Sequence, residues 1–206
     1  MSKTKIKLCG LTCPKDVVAA NTLKPDYVGF VLFFEKSVRN ITVETAVWLK
    51  AILDPEIQAV GVFVDAPLQA VADLLNRGVI DLAQLHGSED EAYIAALREL
   101  TGKPIIKAFQ LRTPEDAARA QASSADLVLL DSGTGTGQKF DWTLAKAVQR
   151  PCLLAGGLNP DNVAEAMAAV APFGVDVSSG IETDKRKDET KMRAFVESVR
   201  RQDERS

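Results

Sequence analysis

The sequence predicts a single (β/α)8 barrel, a TIM barrel, filling residues 1–206. Short apolar, β-rich runs alternate with amphipathic or Ala-rich segments from end to end, the alternation occurs eight times, and no interruption is long enough for a second domain. The alternative is an open, doubly wound sheet. That fold normally uses fewer strands and carries a G-x-G-x-x-G turn after the first, and no such turn is present.

The elements follow in order. IKLC (6–9), YVGFVL (27–32), QAVGVFV (58–64) and LAQL (82–85) supply the first four strands, with helices over 14–22, 43–53, 67–76 and 89–100. PIIKAF (104–109), LVLLD (127–131), CLLA (152–155) and GVDVS (174–178) supply the other four, with helices over 113–122, 142–148, 160–170 and 188–201. Helix starts are signalled at Thr42, Asp65-Ala66-Pro67, Thr113-Pro114-Glu115 and Asn159-Pro160, where a capping side chain precedes a proline or an acid.

Composition narrows the function. With 46% hydrophobic and 26% charged residues, the 206-residue chain can build one sizeable core. A net charge of -3 and a pI near 5.3 give no electrostatic case for nucleic acid or an anionic membrane. The one basic cluster, KRKDETKMR at 185–193, is interrupted by acids and reads as a solvated helix start. Cys9, Cys13 and Cys152 form neither a disulfide framework nor a C-x-x-C pair, which suits the cytoplasm. His86 is the single histidine, so multi-His zinc patterns are excluded and no metal is expected. MSKTKIKLCG lacks the apolar stretch of a secretory signal, and the run VGFVLFF (28–34) falls far short of a membrane span of roughly 20 residues.

In such barrels chemistry sits at the carboxyl ends of the strands. The glycine-rich ends AGGLNPDN (155–162) and SSGIE (178–182) expose backbone N–H groups at Gly156, Gly157, Ser179 and Gly180, where barrels commonly hold a phosphate. GTGTG at 133–137, around Gly135, offers further amides. Any one of these glycines can instead serve a tight turn. Asp131 ends an apolar strand, so desolvation would raise its carboxyl pKa toward what a general acid near neutral pH requires; a loop-capping aspartate is the alternative. Cys9 poses the opposite problem, because a base must be a thiolate. Strand alternation sets Lys7 on the same face as Cys9, with Ile6 and Leu8 facing the helices, and a buried ammonium needs a partner. Asp176 on the adjoining eighth strand is the expected one. Without Lys7 and the strand-end position, Cys9 would read as a small buried hydrophobe.

KLCGLT at the first strand end, GF followed by SVR at 37–39, VGVFVD (60–65), QLHG (84–87), LLDS (129–132), KFDW (139–142), LAGGLNPDNV (154–163) and GVDVSSGIE (174–182) together resemble the phosphoribosylanthranilate isomerase family of tryptophan biosynthesis. They occur in the family's order over nearly the whole chain. The resemblance implies a (β/α)8 barrel performing an Amadori rearrangement of a phosphorylated aminoaldose, a small-molecule substrate, without cofactor. It implies Cys9 as general base, Asp131 as general acid, Arg39 against the anthranilate carboxylate, and the loops at 156–157 and 178–180 on the phosphate. His86 lines the site in that pattern with no role assigned.

One departure is TDKRKD (183–188), where the family usually has a glycine before Lys-Asp. The histidine-pathway isomerase typically has an aspartate at the first strand end, and indole-glycerol-phosphate synthase needs a lysine and glutamate set. A barrel that only binds sugar phosphate is the non-enzyme alternative. It would not need both Cys9 and Asp131. Only the carboxyl-terminal half carries phosphate-type loops, so a substrate with two phosphates is expected to be poor. The sequence leaves monomer or homodimer open.

Overall fold

The computed structural model describes residues 3–131 and 142–205. Eight strands form where the apolar runs predict them: β1 (Lys5–Cys9), β2 (Tyr27–Leu32), β3 (Gln58–Phe63), β4 (Leu82–Leu85), β5 (Ile105–Gln110), β6 (Leu127–Asp131), β7 (Cys152–Ala155) and β8 (Gly174–Val177). Each pairs in parallel with the next, and β1 pairs with both β2 and β8, which closes the barrel. The helices are α1 (Pro14–Leu23), α2 (Val43–Ile52), α3 (Leu68–Asn76), α4 (Glu91–Leu100), α5 (Pro114–Ala122), α6 (Trp142–Lys146), α7 (Val163–Val170) and α8 (Glu189–Asp203).

Period-two alternation sorts the strand residues into two cores. Outward side chains such as Ile6, Leu8, Phe30 and Phe63 are fully buried between strands and helices. Inward ones, including Tyr27, Val60, Leu82, Ile106, Leu129 and Leu153, fill the barrel interior, and Cys9, Val31 and Val62 lie together in a separate cluster. Filling the interior with apolar side chains makes the barrel a packed core rather than a pore.

Two helix starts differ from expectation. Thr42 and Thr113 cap α2 and α5 as predicted. Asp65, however, leaves α3 uncapped: its backbone is left-handed (φ +52°) and its carboxylate accepts hydrogen bonds from Ser88 N–H and Oγ. Asn159 holds the turn before α7 by accepting from the Asp161 and Asn162 N–H groups, so the helix begins only at Val163. A capping-type side chain serves whichever neighbouring N–H lies closest, and here that N–H belongs to a loop.

The basic cluster also needs correction. Asp188 caps α8 through the Thr190 and Lys191 N–H groups, but Arg186–Lys187 pairs with Glu182–Thr183 in an antiparallel hairpin. The Lys187 side chain is 2% exposed. It is a buried cation rather than a solvated one.

Candidate active site

A cavity of about 480 Å³ opens at the carboxyl ends of the strands and is lined by Cys9, Arg39, His86, Asp131, Gly156, Gly157 and Ser179. Lys7 lies beneath it, fully buried. Gly180 does not line it; a Cβ there would come 1.9 Å from Leu158 O, so Gly180 serves the close approach of the β7 and β8 loops. Gly135 lies outside the described residues.

Cys9 is a strand residue with a cation beside it. Lys7 Nζ meets Asp176 Oδ1 at 2.8 Å, as β1–β8 register dictates, with the ammonium 0% and the carboxylate 9% exposed. Room for this pair comes from Gly29, where a Cβ would stand 2.6 Å from Cys9 Sγ and 3.2 Å from Lys7 Nζ. Burial pushes the Cys9 thiol up, and Asp176 adds to that, while Lys7 and Lys187 pull it down. Burial outweighs them, so the positive surroundings expected for the thiol are present but only partly compensate.

Asp131 ends β6 and meets His86 Nε2 at 3.3 Å. Gln84 stands two residues before His86 on β4, and its amide nitrogen lies 2.9 Å from His86 Nδ1. With Gln84 donating there, the ring proton sits on Nε2 and is directed at the Asp131 carboxylate. The loop carrying His86 is stitched to the β3 end: Glu89 accepts from the Asp65 and Gly87 N–H groups and pairs with Lys107 Nζ at 3.1 Å. A larger cavity of about 680 Å³ adjoins on that side, but Lys107, its buried cation, is already spent on Glu89, Gly87 O and Leu85 O.

Arg39 reaches the mouth from the segment between β2 and α2. Its Nε and Nη2 both donate to Glu182, each at 2.6 Å, which leaves three of five guanidinium N–H groups unspent on that carboxylate. Lys187 Nζ donates to the same Glu182 at 2.6 Å and to Ser178 O at 3.0 Å. Burial would raise the Glu182 carboxyl, but the Arg39 and Lys187 hydrogen bonds carry it below the ordinary range.

At the phosphate-type loops, Gly156 and Gly157, which line the cavity, adopt φ of +91° and +65°, a conformation that suits glycine. Asn162 secures the loop by donating to Gly157 O at 3.0 Å. Among the described residues no cluster of three or more His, Cys, Asp or Glu side chains is arranged to hold a metal ion.

Sequence reasoning missed Gln84 as the partner of His86, and Glu182 and Lys187 as the buried pair that holds Arg39. Glu182 and Lys187 stand five residues apart, a spacing with no helical or strand periodicity, and only hairpin register sets them opposite.

The chain matches the family described as N-(5'phosphoribosyl)anthranilate (PRA) isomerase over residues 6–198. It is 44% identical to the N-(5'-phosphoribosyl)anthranilate isomerase of Endomicrobium trichonymphae, covering 95% of this chain and 98% of that one. The Geobacter sp. (strain M21) isomerase is likewise 44% identical, over 96% and 98% of the two chains. The phosphoribosyl anthranilate isomerase structure from Thermotoga maritima superposes with a TM-score of 0.85 at 33% identity, over 96% of this chain and 98% of that one. A structure of the isomerase with reduced 1-(o-carboxyphenylamino)-1-deoxyribulose 5-phosphate gives 0.83 at 33%, with the same coverage. Barrel, strand-end chemistry and likeness along nearly the whole chain agree: the chain belongs to the N-(5'-phosphoribosyl)anthranilate isomerase family.

Proposed function

We propose that this chain isomerises N-(5'-phosphoribosyl)anthranilate to 1-(2-carboxyphenylamino)-1-deoxyribulose 5-phosphate by general acid–base catalysis, in tryptophan biosynthesis. The observation that carries this reading is that Cys9 and Asp131, on β1 and β6, line one 480 Å³ cavity that also takes in Arg39 and the Gly156–Gly157 loop. Asp131 gives its proton to the ribose ring oxygen, and the C1′–O bond breaks to leave a Schiff base. Cys9 then takes the C2′ proton, giving an enolamine that tautomerises to the ketone.

The surrounding groups have definite tasks. Gly156, Gly157 and Ser179 present backbone N–H groups to the phosphate, with Gly180 shaping the loop. Arg39 meets the anthranilate carboxylate with its terminal nitrogens, because Glu182 holds the Nε edge. His86 orients the Asp131 carboxylate. Gln84 lines the cavity wall and holds His86, while its Oε1 is buried without a hydrogen-bond partner among the described residues.

No helix among the described residues is long and apolar enough to cross a membrane. Cytoplasmic residence is the location this reading assigns. The test is incubation of purified protein with phosphoribosylanthranilate generated in situ, followed by the loss of its fluorescence. Turnover well above the spontaneous rate is expected; none would overturn the proposal.

A further inference from the structure

The hairpin after β8 carries a cation that the reaction outlined above does not use. Hairpin register sets Lys187 opposite Glu182, and the turn between them is tight, with Asp184 and Lys185 both left-handed (φ +50° and +61°). The Lys187 Nζ donates to Glu182 Oε1 at 2.6 Å, to Ser178 O at 3.0 Å and, weakly, to Ser178 Oγ at 3.4 Å. Three acceptors around one nitrogen match an ammonium, which has three N–H groups where a neutral amine has two.

This knot presses on the base. A Cβ on Gly10, the residue after Cys9, would lie 2.5 Å from Arg39 Cδ and 3.2 Å from Ser178 Oγ. Arg39 and Ser178 are thus packed directly on the Cys9–Gly10 turn, and Lys187 is held by Ser178 itself and by Glu182, the partner of Arg39. Lys7 approaches from below, on the same strand, and Asp176 from β8. Asp131 and His86 stand on β6 and at the end of β4, and line the same cavity. Around the thiol, Lys7, Arg39 and Lys187 face two carboxylates, Asp176 and Glu182. Within that set one positive charge is left over, which lowers the cost of ionising the thiol without offsetting its burial.

We propose that Lys187 is a positioning residue for the Cys9 base: locked by Glu182 and Ser178, its ammonium supplies the uncompensated positive charge against which Cys9 ionises. This rests on the reading of Cys9 as the base. The electrostatics run in the same direction, since both Lys187 and Lys7 favour the ionised thiol against the effect of burial. The role also explains why a lysine remains buried where burial holds its own protonation below the ordinary range: Glu182 and the Cys9 charge restore part of what desolvation removes.

The experiment follows the iodoacetamide reaction of Cys9 against pH, read by peptide mass spectrometry so that Cys13 and Cys152 do not interfere. It compares wild type, Lys187→Met, Lys187→Arg and Glu182→Gln. Because the thiolate is the reactive form, the midpoint of the profile reports Cys9 ionisation without reference to turnover. Lys187→Met is expected to move the midpoint up by about one pH unit or more, the scale of a neighbouring charge. Lys187→Arg should restore most of the shift, and Glu182→Gln should move it down. A folded Lys187→Met with an unchanged midpoint overturns the proposal, as does Glu182→Gln moving the midpoint up. If Lys187→Met does not fold, the Glu182→Gln direction decides. Expected shifts in an enzyme whose Cys9→Ala variant still turns over would leave this inference standing and remove Cys9 as the base.

Discussion

The two sides of the cavity are built from different physics. Around Cys9, on β1 and β8 and their hairpin, charges are packed almost dry: the side chains of Lys7, Asp176, Glu182 and Lys187 are 0%, 9%, 6% and 2% exposed. Across the mouth, Asp131 and His86 are 21% and 32% exposed and meet at 3.3 Å. A thiol is a poor base until cations are brought to it, and cations act most strongly where water is excluded. An acid that must protonate a bound ring oxygen and then be recharged needs access instead. Under the proposed mechanism these demands fall on opposite strands, Cys9 on β1 and Asp131 on β6.

That contrast predicts effects of graded size. On the open side, Asp131→Asn should fold normally and lose on the order of 10²- to 10⁴-fold in kcat, the usual weight of a general acid. His86→Asn, which removes only the orienting contact, should cost less; steady-state kinetics on both variants would blur the distinction if the losses were equal.

On the dry side the cost should appear first as stability. Lys7→Met leaves Asp176 buried without its ammonium, and breaking such a pair typically costs about 3–5 kcal/mol. Denaturant melts checking this against Asp131→Asn, expected to be nearly neutral, sharpen the comparison. A Lys7→Met melt close to wild type would mean that the β1–β8 pair is not structurally important.

Arg39 stands between the two sides. Arg39→Ala should raise KM roughly tenfold to a hundredfold, the value of a charged hydrogen bond of about 1.5–3 kcal/mol. An analogue lacking the anthranilate carboxylate should feel the substitution much less. Equal loss on both substrates would make Arg39 chiefly a clamp on Glu182. The smallest signal concerns substrate range: the ends of β3 and β4 are occupied by the Asp65, Ser88 and Glu89 hydrogen bonds and present no glycine nest. A bis-phosphorylated aminoaldose should therefore show kcat/KM near background. Comparable values for both substrates would call for a second anion site there.

Much of this was readable from the chain because barrel strands carry their own signal. Period-two alternation set Lys7 and Cys9 on one face, barrel closure with strand parity named Asp176 as the partner of Lys7, and the structure brings Lys7 Nζ and Asp176 Oδ1 to 2.8 Å. Gly156 and Gly157 were legible because few other residues tolerate their backbone. The hairpin was not. Its two-residue strands are too short for any periodicity, and a lysine in a run of charges looks solvated until tertiary packing buries it. Asp65 and Asn159 misled for a related reason: a capping side chain identifies a turn, not which turn.

The pH dependence of kcat/KM tests the central claim, that Cys9 is the base within its charged pocket, most directly. Burial holds the thiol above its ordinary value, so the base form is scarce at low pH and fills in as pH rises. Because Asp131 must hold its proton while Cys9 is ionised, wild-type kcat/KM should follow a bell whose two limbs report the acid and the base, falling about tenfold per unit outside them. Cys9→Asp substitutes a base already ionised near neutrality, and the limb set by the base should move to acid pH with some activity retained. A Cys9→Asp profile with both limbs in the wild-type positions would contradict the account, because another group would then be taking the C2′ proton.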